Sequence, residues 1–276
     1  VQRLLRRLGN VAHGTFVEFE AAVAGDGSKH VVRDGTVHPL TAYVINYVKR
    51  LFSYRGTLVA LFREARAAAD STSSAEDGAP VETPRGGAEA GGRIAGSIVN
   101  ILIALLQNLE AKSEMYKDGA LRSLFLMNNV NYVVGSMRSY GSSQLLPEEW
   151  MARHAELVST HKSQYLQLSW DPLFASLRAP LDVPENKRER RFVRERFRFI
   201  NQQLKGLSAQ HREWAIPDDE LRREVRRTLL GELVPLYTKM REHYWDVFFS
   251  KKPEAYITYT GEDLRRMVEE DFFSRS

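Results

Sequence analysis

The 276-residue sequence has no cysteine, which excludes disulfides, thiolate zinc sites and cysteine nucleophiles and suits a reducing compartment. Long hydrophobic runs are also lacking. The longest, Ile98–Leu106, is far short of the roughly 20 residues that a helix needs to cross a bilayer, and Gln107, Asn108 and Glu110 follow it. We therefore expect no transmembrane segment. No signal peptide is visible, and because the chain opens on Val1 in place of Met we expect a piece of a longer protein. Charge of one sign does not dominate either: the net charge of +4 permits an anionic partner such as a membrane surface without demanding one. What is plentiful is apolar side chain, 43% of residues, enough for one large or two modest domains with a sizeable core.

The chemistry of catalysis is missing as well. Gly86-Gly87-Ala88-Glu89-Ala90-Gly91-Gly92 precedes a helix but lacks the Gly-Lys-Ser/Thr ending and the preceding strand of a phosphate cradle, so it reads as flexible loop. His154 and His161 lie seven apart on an apolar stripe without a His-Glu-x-x-His pattern, which points to packing and not to a metal. With no nucleophile–base pair, metal constellation or cofactor motif, we expect no enzyme, no metal and no cofactor.

The sequence is organised around Ala120–Tyr140. Leu121, Phe125, Asn128 and Tyr132 recur at the spacing of one helical face, while Leu124, Met127, Val130, Val133 and Val134 load the others. A helix apolar nearly all round must be buried by its neighbours. Within it, Asn128 and Asn129 need hydrogen-bond partners, and we expect interhelical ones.

Amphipathic helices flank it on both sides. One is predicted over Gln2–Ala24, ending at Gly25-Asp26-Gly27; Asp34-Gly35 marks a turn; a second helix opens on Pro39 and runs to about Ala68. Asp70 to Gly92, rich in Ser, Ala, Gly, Pro and Glu, reads as a disordered surface loop. A third helix spans Ile94–Lys117, and a fifth opens at Pro147 and ends at Ser169-Trp170-Asp171-Pro172, since proline breaks the backbone ladder. A short helix around Leu173–Leu177 follows. The sixth long helix, Glu185–His211, has an apolar seam at Val193, Phe197, Ile200, Leu204 and Leu207. The next starts after Asp218 and carries Pro235, and Thr260 with Asp263 forms a capping box for Gly261–Phe273. No strand pattern emerges, so the fold class is all-α with about eight helices.

The sixth helix is the most charged element. Lys187, Arg188, Arg190, Arg191, Arg194, Arg196 and Arg198 face only Glu189 and Glu195. Such a run is either a contact for a phosphoinositide or another anion, or a solvated face with weak Glu195–Arg198 and Arg191–Glu195 pairs. Nucleic acid is disfavoured, because Phe192, Phe197 and Phe199 are better used as core than as stacking platforms.

Taken together, the residues resemble the seventy-kilodalton subunit family of the exocyst, the complex that tethers secretory vesicles to the plasma membrane. The likeness rests on Val37-His38-Pro39-Leu40-Thr41 with Tyr43, Asn46 and Tyr47; on Leu124-Phe125-Leu126-Met127-Asn128-Asn129 with Tyr132; and on Trp150, Tyr165, Ser169 and Trp170. Phe197, Phe199, Asn201, Gln210, Trp214 and Leu221 extend it, as do Tyr256-Ile257-Thr258-Tyr259 and Asp263-Leu264. The chain looks most like the C-terminal half of a plant-type member.

The resemblance implies an elongated rod of stacked antiparallel helical bundles, with middle bundles over residues 1–180, including the loop at 70–92, and a C-terminal bundle over 181–276. It implies a non-enzymatic tethering subunit that is cytoplasmic and peripheral at the inner face of the plasma membrane. The implied partners are the other exocyst subunits, small GTPases and phosphatidylinositol 4,5-bisphosphate. Where animal and yeast members carry two basic residues around the Tyr-Ile pair, this chain has Ala255 and Thr258, which weakens the implied lipid contact; Lys251 and Lys252 remain upstream. The candidate membrane residues are therefore Lys251, Lys252, Lys187, Arg188, Arg190, Arg191, Arg194 and Arg198. The alternative is a diverged plant paralogue that serves as a protein-docking module for immunity-linked partners or pathogen effectors.

Overall fold

A computed structural model describes residues 2–73, 85–140, 146–248 and 256–273. Among them are nine α-helices, a closing π turn and no strand: α1 Gln2–Ala24, α2 Pro39–Ser53, α3 Arg55–Ser73, α4 Arg85–Ser113, α5 Gly119–Ser139, α6 Glu148–Arg178, α7 Lys187–Glu213, α8 Asp219–Phe248, α9 Gly261–Arg266, and the π turn Met267–Asp271. The chain divides into two compact units, each assembled from discontinuous segments.

The first unit comprises Val1–Val31, Val37–Met115 and Asn129–Val158. Its core is the stripe Ile94, Ile98, Ile101, Leu102 and Leu105 of α4, all fully buried, each worth roughly 1.5–3 kcal/mol when withdrawn from water. Packed beside it, α1 and α3 approach so closely that a Cβ on Gly9 would stand 2.6 Å from the Ala65 Cβ. Phe16 meets Phe62 edge-on, and Phe19 stacks on Tyr47 at 3.8 Å between centroids. By length and composition alone, Glu89–Ser113 would suffice to cross a membrane; its apolar stripe is instead spent on this core.

Two connectors of this unit are tied down by buried polar groups. After α1, the Lys112 ammonium reaches the Asp26 carboxylate at 3.1 Å and the Ser28 carbonyl at 2.7 Å, and Asn108 donates to the carbonyls of Ala24 and Asp26. At the start of α2, Pro39 occupies the first turn and the His38 ring accepts from the Leu40 N–H. Asn129 Oδ1 then accepts from the His38 N–H at 2.9 Å and the Thr41 hydroxyl at 2.7 Å.

The second unit comprises Val32–Thr36, Tyr116–Asn128 and Ser159–Ser276. Around α7, α8 and α9 the fully buried side chains Trp170, Tyr165, Phe197, Tyr237, Tyr244 and Phe272 form an aromatic core. Its turn at Asp34-Gly35 needs glycine: Gly35 has φ +72°, and a Cβ there would stand 2.9 Å from Leu121 Cδ1. Asn128 holds this turn, donating at 2.8 Å to the carbonyls of both Gly35 and Ala215. Asn129 of α5 thus has the expected interhelical partner in Thr41 of α2, whereas the partners of Asn128 are carbonyls of connectors.

Three boundaries differ most from those expected. The second predicted helix is two, because Ser53 and Gly56 are weak helix formers and the exposed Tyr54 caps α2 by donating to the Arg50 carbonyl at 3.1 Å. The stretch expected as loop over 70–92 is helical at both ends: α3 reaches Ser73 and α4 begins at Arg85, where the buried Ala90 and an Arg66–Glu89 ion pair favour helix over the glycines. Residues 74–84 lie outside the described set.

The third concerns Pro172, which does not end its helix: α6 continues to Arg178. A proline inside a helix costs about 3 kcal/mol. Burying Trp170, Leu173, Phe174 and Leu177 on the same stretch more than offsets that, at roughly 1.5–3 kcal/mol for each large side chain. The capping box of Thr260 and Asp263 forms as predicted, opening α9.

Candidate functional site

The basic run lies on α7, and its local chemistry explains why so much positive charge stays unbalanced. At the helix start, Asn186 accepts from the Glu189 N–H at 3.0 Å, while Glu189 accepts from the Glu185 N–H at 2.8 Å and from the Asn186 amide. This reciprocal cap occupies one of the two acids in the run. The other, Glu195, takes a two-pronged bond from Arg198 at 2.7 and 2.8 Å. Of the two pairs expected from spacing, only Glu195–Arg198 is present; Arg191 is not joined to Glu195. Lys187, Arg188, Arg190 and Arg191 are exposed and make no ion pair among the described residues.

The remaining arginines of the run do different work. Arg194 is half-buried with its guanidinium 5.5 Å from the Tyr256 ring centroid, so it is spent mainly on a cation–π contact. Arg196 is buried and donates to the carbonyls of Ser176 at 2.8 Å, Ala179 at 2.9 Å and Pro180 at 3.0 Å. It thereby closes the C-terminus of α6, whose last carbonyls have no helical donors. Burial pulls its pKa below the usual guanidinium range, and Tyr244 and Asp182 partly restore it. Sequence reading placed Arg196 among the solvated charges. Its spacing from Val193 and Ile200, three and four residues, puts it on the apolar seam and was the available signal.

The segment that carries the Tyr-Ile pair lies against the same helix. Asn201 donates to the Tyr256 carbonyl at 2.8 Å and to the Thr258 hydroxyl at 2.9 Å, and Ile257 is buried. Thr258 is therefore a tie to α7. Lys251, Lys252 and Ala255 lie outside the described residues.

The phenylalanines of α7 do not all join the core, as the sequence led us to expect. Phe197 is core, but Phe192 is 69% exposed and Phe199 40% exposed. They stand seven apart on one face with Arg188 and Glu195 between and beside them, so α7 presents rings as well as guanidiniums. Each stands one position before a seam residue, Val193 or Ile200, which turns it roughly a quarter turn off the buried stripe.

The histidines are structural. His154 stacks on Trp150 at 3.8 Å and bonds its carbonyl at 2.7 Å, and His161 meets Gln164 at 3.2 Å. Among the described residues no three His, Asp or Glu side chains are placed to hold a metal ion.

Comparison with known proteins decides the family. A family model described as the C-terminal region of the Exo70 exocyst complex subunit matches residues 1–270. The chain belongs to the Exo70 family. Exocyst complex component EXO70A1 of Arabidopsis thaliana is 37% identical over 284 residues, covering 99% of this chain and 42% of that protein. EXO70A3 of the same plant is 31% identical, covering 98% and 43%, and human exocyst complex component 7 is 27% identical, covering 98% and 36%. The chain thus spans well under half the length of these relatives. A solved structure of Saccharomyces cerevisiae Exo70 superposes with a TM-score of 0.66 at 15% identity, covering 96% of this chain and 52% of that one. At that identity the likeness is one of fold, and it agrees with the all-α Exo70 architecture described above.

Proposed function

We propose that this chain is the C-terminal region of a non-enzymatic, plant-type exocyst subunit that helps tether secretory vesicles to the plasma membrane during exocytosis. It acts on the cytoplasmic side with the other exocyst subunits, under small GTPases, and touches the inner leaflet through α7. One observation carries the membrane part: Lys187, Arg188, Arg190 and Arg191 are exposed and without an ion pair among the described residues, because Glu189 caps the helix and Glu195 is held by Arg198.

Near an anionic leaflet each such charge contributes about 1 kcal/mol. Four act together without first breaking an ion pair. Guanidiniums also bind phosphates through two parallel bonds, which suits the headgroup of phosphatidylinositol 4,5-bisphosphate. The exposed Phe192 and Phe199 suit the apolar boundary beneath the headgroups.

A second reading is favoured by Thr258, whose hydroxyl is tied to Asn201 at the position where a charge is missing: a paralogue that docks proteins, with weakened lipid binding. Affinity purification of the tagged protein from plant cells separates the two. Recovery of the other exocyst subunits in stoichiometric amounts supports the tether, and their absence alongside other captured proteins would favour the docking paralogue.

A further inference from the structure

A second cluster of arginines stands on α8, apart from the candidate residues of α7. Arg223, Arg226 and Arg227 recur at helical spacing and, with Arg265 of α9, line a cleft of about 620 Å³ in which Glu269 is the lone carboxylate. The cleft exists because α9 docks tightly on α8: a Cβ on Gly261 would stand 3.2 Å from Thr238 Oγ1 and 3.4 Å from Val234 Cγ1. Its inner wall is apolar, formed by Leu230, Val234 and Pro235.

The arginines are available to a ligand to different degrees. Arg227 makes no ion pair among the described residues. Arg223 pairs with the exposed Glu220 at 2.8 Å and donates Nε to the Asp219 carbonyl at 3.2 Å, and Arg265 faces the exposed Glu262 at 3.8 Å; such exposed pairs exchange at little cost. Arg226 is anchored by a bond to the Phe272 carbonyl, while its Nε is buried with no acceptor. Burial and the neighbouring Arg222 lower its pKa, with Glu269 offsetting part of the effect, as expected for a guanidinium short of counter-charge. Pro235 adds a backbone feature: lacking an N–H, it leaves the Gly231 carbonyl at the cleft without its usual helical donor.

We propose that this cleft docks an acidic peptide segment with one apolar anchor side chain, supplied by a partner protein. Carboxylates meet the guanidinium forks at the rim, the anchor fills the wall of Leu230, Val234 and Pro235, and a peptide N–H finds the Gly231 carbonyl. A lipid headgroup fits less well, since a polyol phosphate has no use for the aliphatic wall of Leu230, Val234 and Pro235. The proposal is independent of the α7 membrane reading.

The test is a selection of random twelve-residue peptides displayed on phage against the 276-residue chain, followed by fluorescence-anisotropy titration of enriched peptides. Two variants report on the site. Gly231→Trp places a ring in the cleft at a position where a Cβ meets nothing within 4 Å, so the backbone need not shift; Arg227→Glu reverses an exposed charge. The expected result is enrichment of sequences with several Asp or Glu around one large apolar residue, bound at least tenfold more weakly by each variant, with unchanged thermal unfolding. Enrichment of non-acidic peptides, or of none that depends on the cleft, would overturn the proposal. So would loss of binding to phosphoinositide-containing vesicles in both variants with peptide binding untouched, which would assign the cleft to a headgroup.

Discussion

The Tyr165 hydroxyl lies 2.6 Å from Nε2 of His211, and Nδ1 of the same ring lies 2.7 Å from the Leu207 carbonyl. Because a carbonyl only accepts, Nδ1 carries the hydrogen, and Nε2 accepts from Tyr165. The His211 backbone also matters: its carbonyl receives the Phe273 N–H at 2.9 Å, and Phe272 stacks on the ring at 5.0 Å. A neutral His211 therefore fastens the last described residues of the chain to α7.

This fastening predicts a pH dependence. Burial holds the His211 pKa down, at about 4 against 6.5 for a free histidine, and burial lowers His38 as well. A group depressed in the folded state takes up its proton in the unfolded chain first, so stability is full above about pH 6.5 and falls as the pH drops toward 4. The loss from His211 is on the order of 2–4 kcal/mol. Thermal unfolding followed from pH 7.5 to 4.5 should show a steep decline that His211→Gln lessens. An equal slope in both proteins would contradict the assignment.

Asn128→Leu should destabilise the second unit. It strips the carbonyls of Gly35 and Ala215 of their donor, at about 1–3 kcal/mol for each buried group left unpaired. Chemical denaturation should report a loss of that order. Asn128→Asp, which keeps the size but has no N–H, should behave at least as badly; if either variant unfolds like the parent, the two bonds are not holding the turn.

Arg196→Leu separates structural from binding arginines. Removing the donor for the carbonyls of Ser176, Ala179 and Pro180 should cost about 2–4 kcal/mol, as expected for hydrogen bonds from a charged group. Arg196→Lys should recover little, because one ammonium cannot span the fork. Vesicle binding, measured well below the melting temperature, should not change. A stable Arg196→Leu protein with weakened vesicle binding would reverse the roles.

Thr260→Ala removes one half of the capping box that starts α9, including the bond to the Asp263 N–H at 3.1 Å. A cost of about 1 kcal/mol is expected. Hydrogen exchange should localise the change to α9 and the π turn; a uniform change across the chain would argue against a local cap.

Local patterns carried most of the fold into view. Gly25-Asp26-Gly27 set the end of α1, Thr260 with Asp263 set the start of α9, and the apolar load of Leu124–Val134 marked the buried α5. What escaped depended on tertiary contact. Pro172 stays helical because Trp170, Leu173 and Phe174 are buried around it, and Arg85–Gly92 is helical although its glycines favour loop. On α7 the charge excess was legible, but which acids were already engaged was not: Glu189 turns back to the cap, a choice that spacing alone leaves open. The α8 cleft was invisible, since it requires α9 to fold back across α8.

The most direct measurement is co-sedimentation of the 276-residue chain with liposomes, with and without phosphatidylinositol 4,5-bisphosphate, at low and physiological salt. Beside it runs a variant with Lys187, Arg188, Arg190 and Arg191 all changed to Glu. Binding should require the lipid, weaken with salt and fall at least tenfold in the variant, with thermal unfolding unchanged. Equal binding by both proteins would contradict this expectation. So would a parent chain that fails to bind while Ala255→Lys/Thr258→Lys restores sedimentation, a result that would give the docking paralogue the stronger claim.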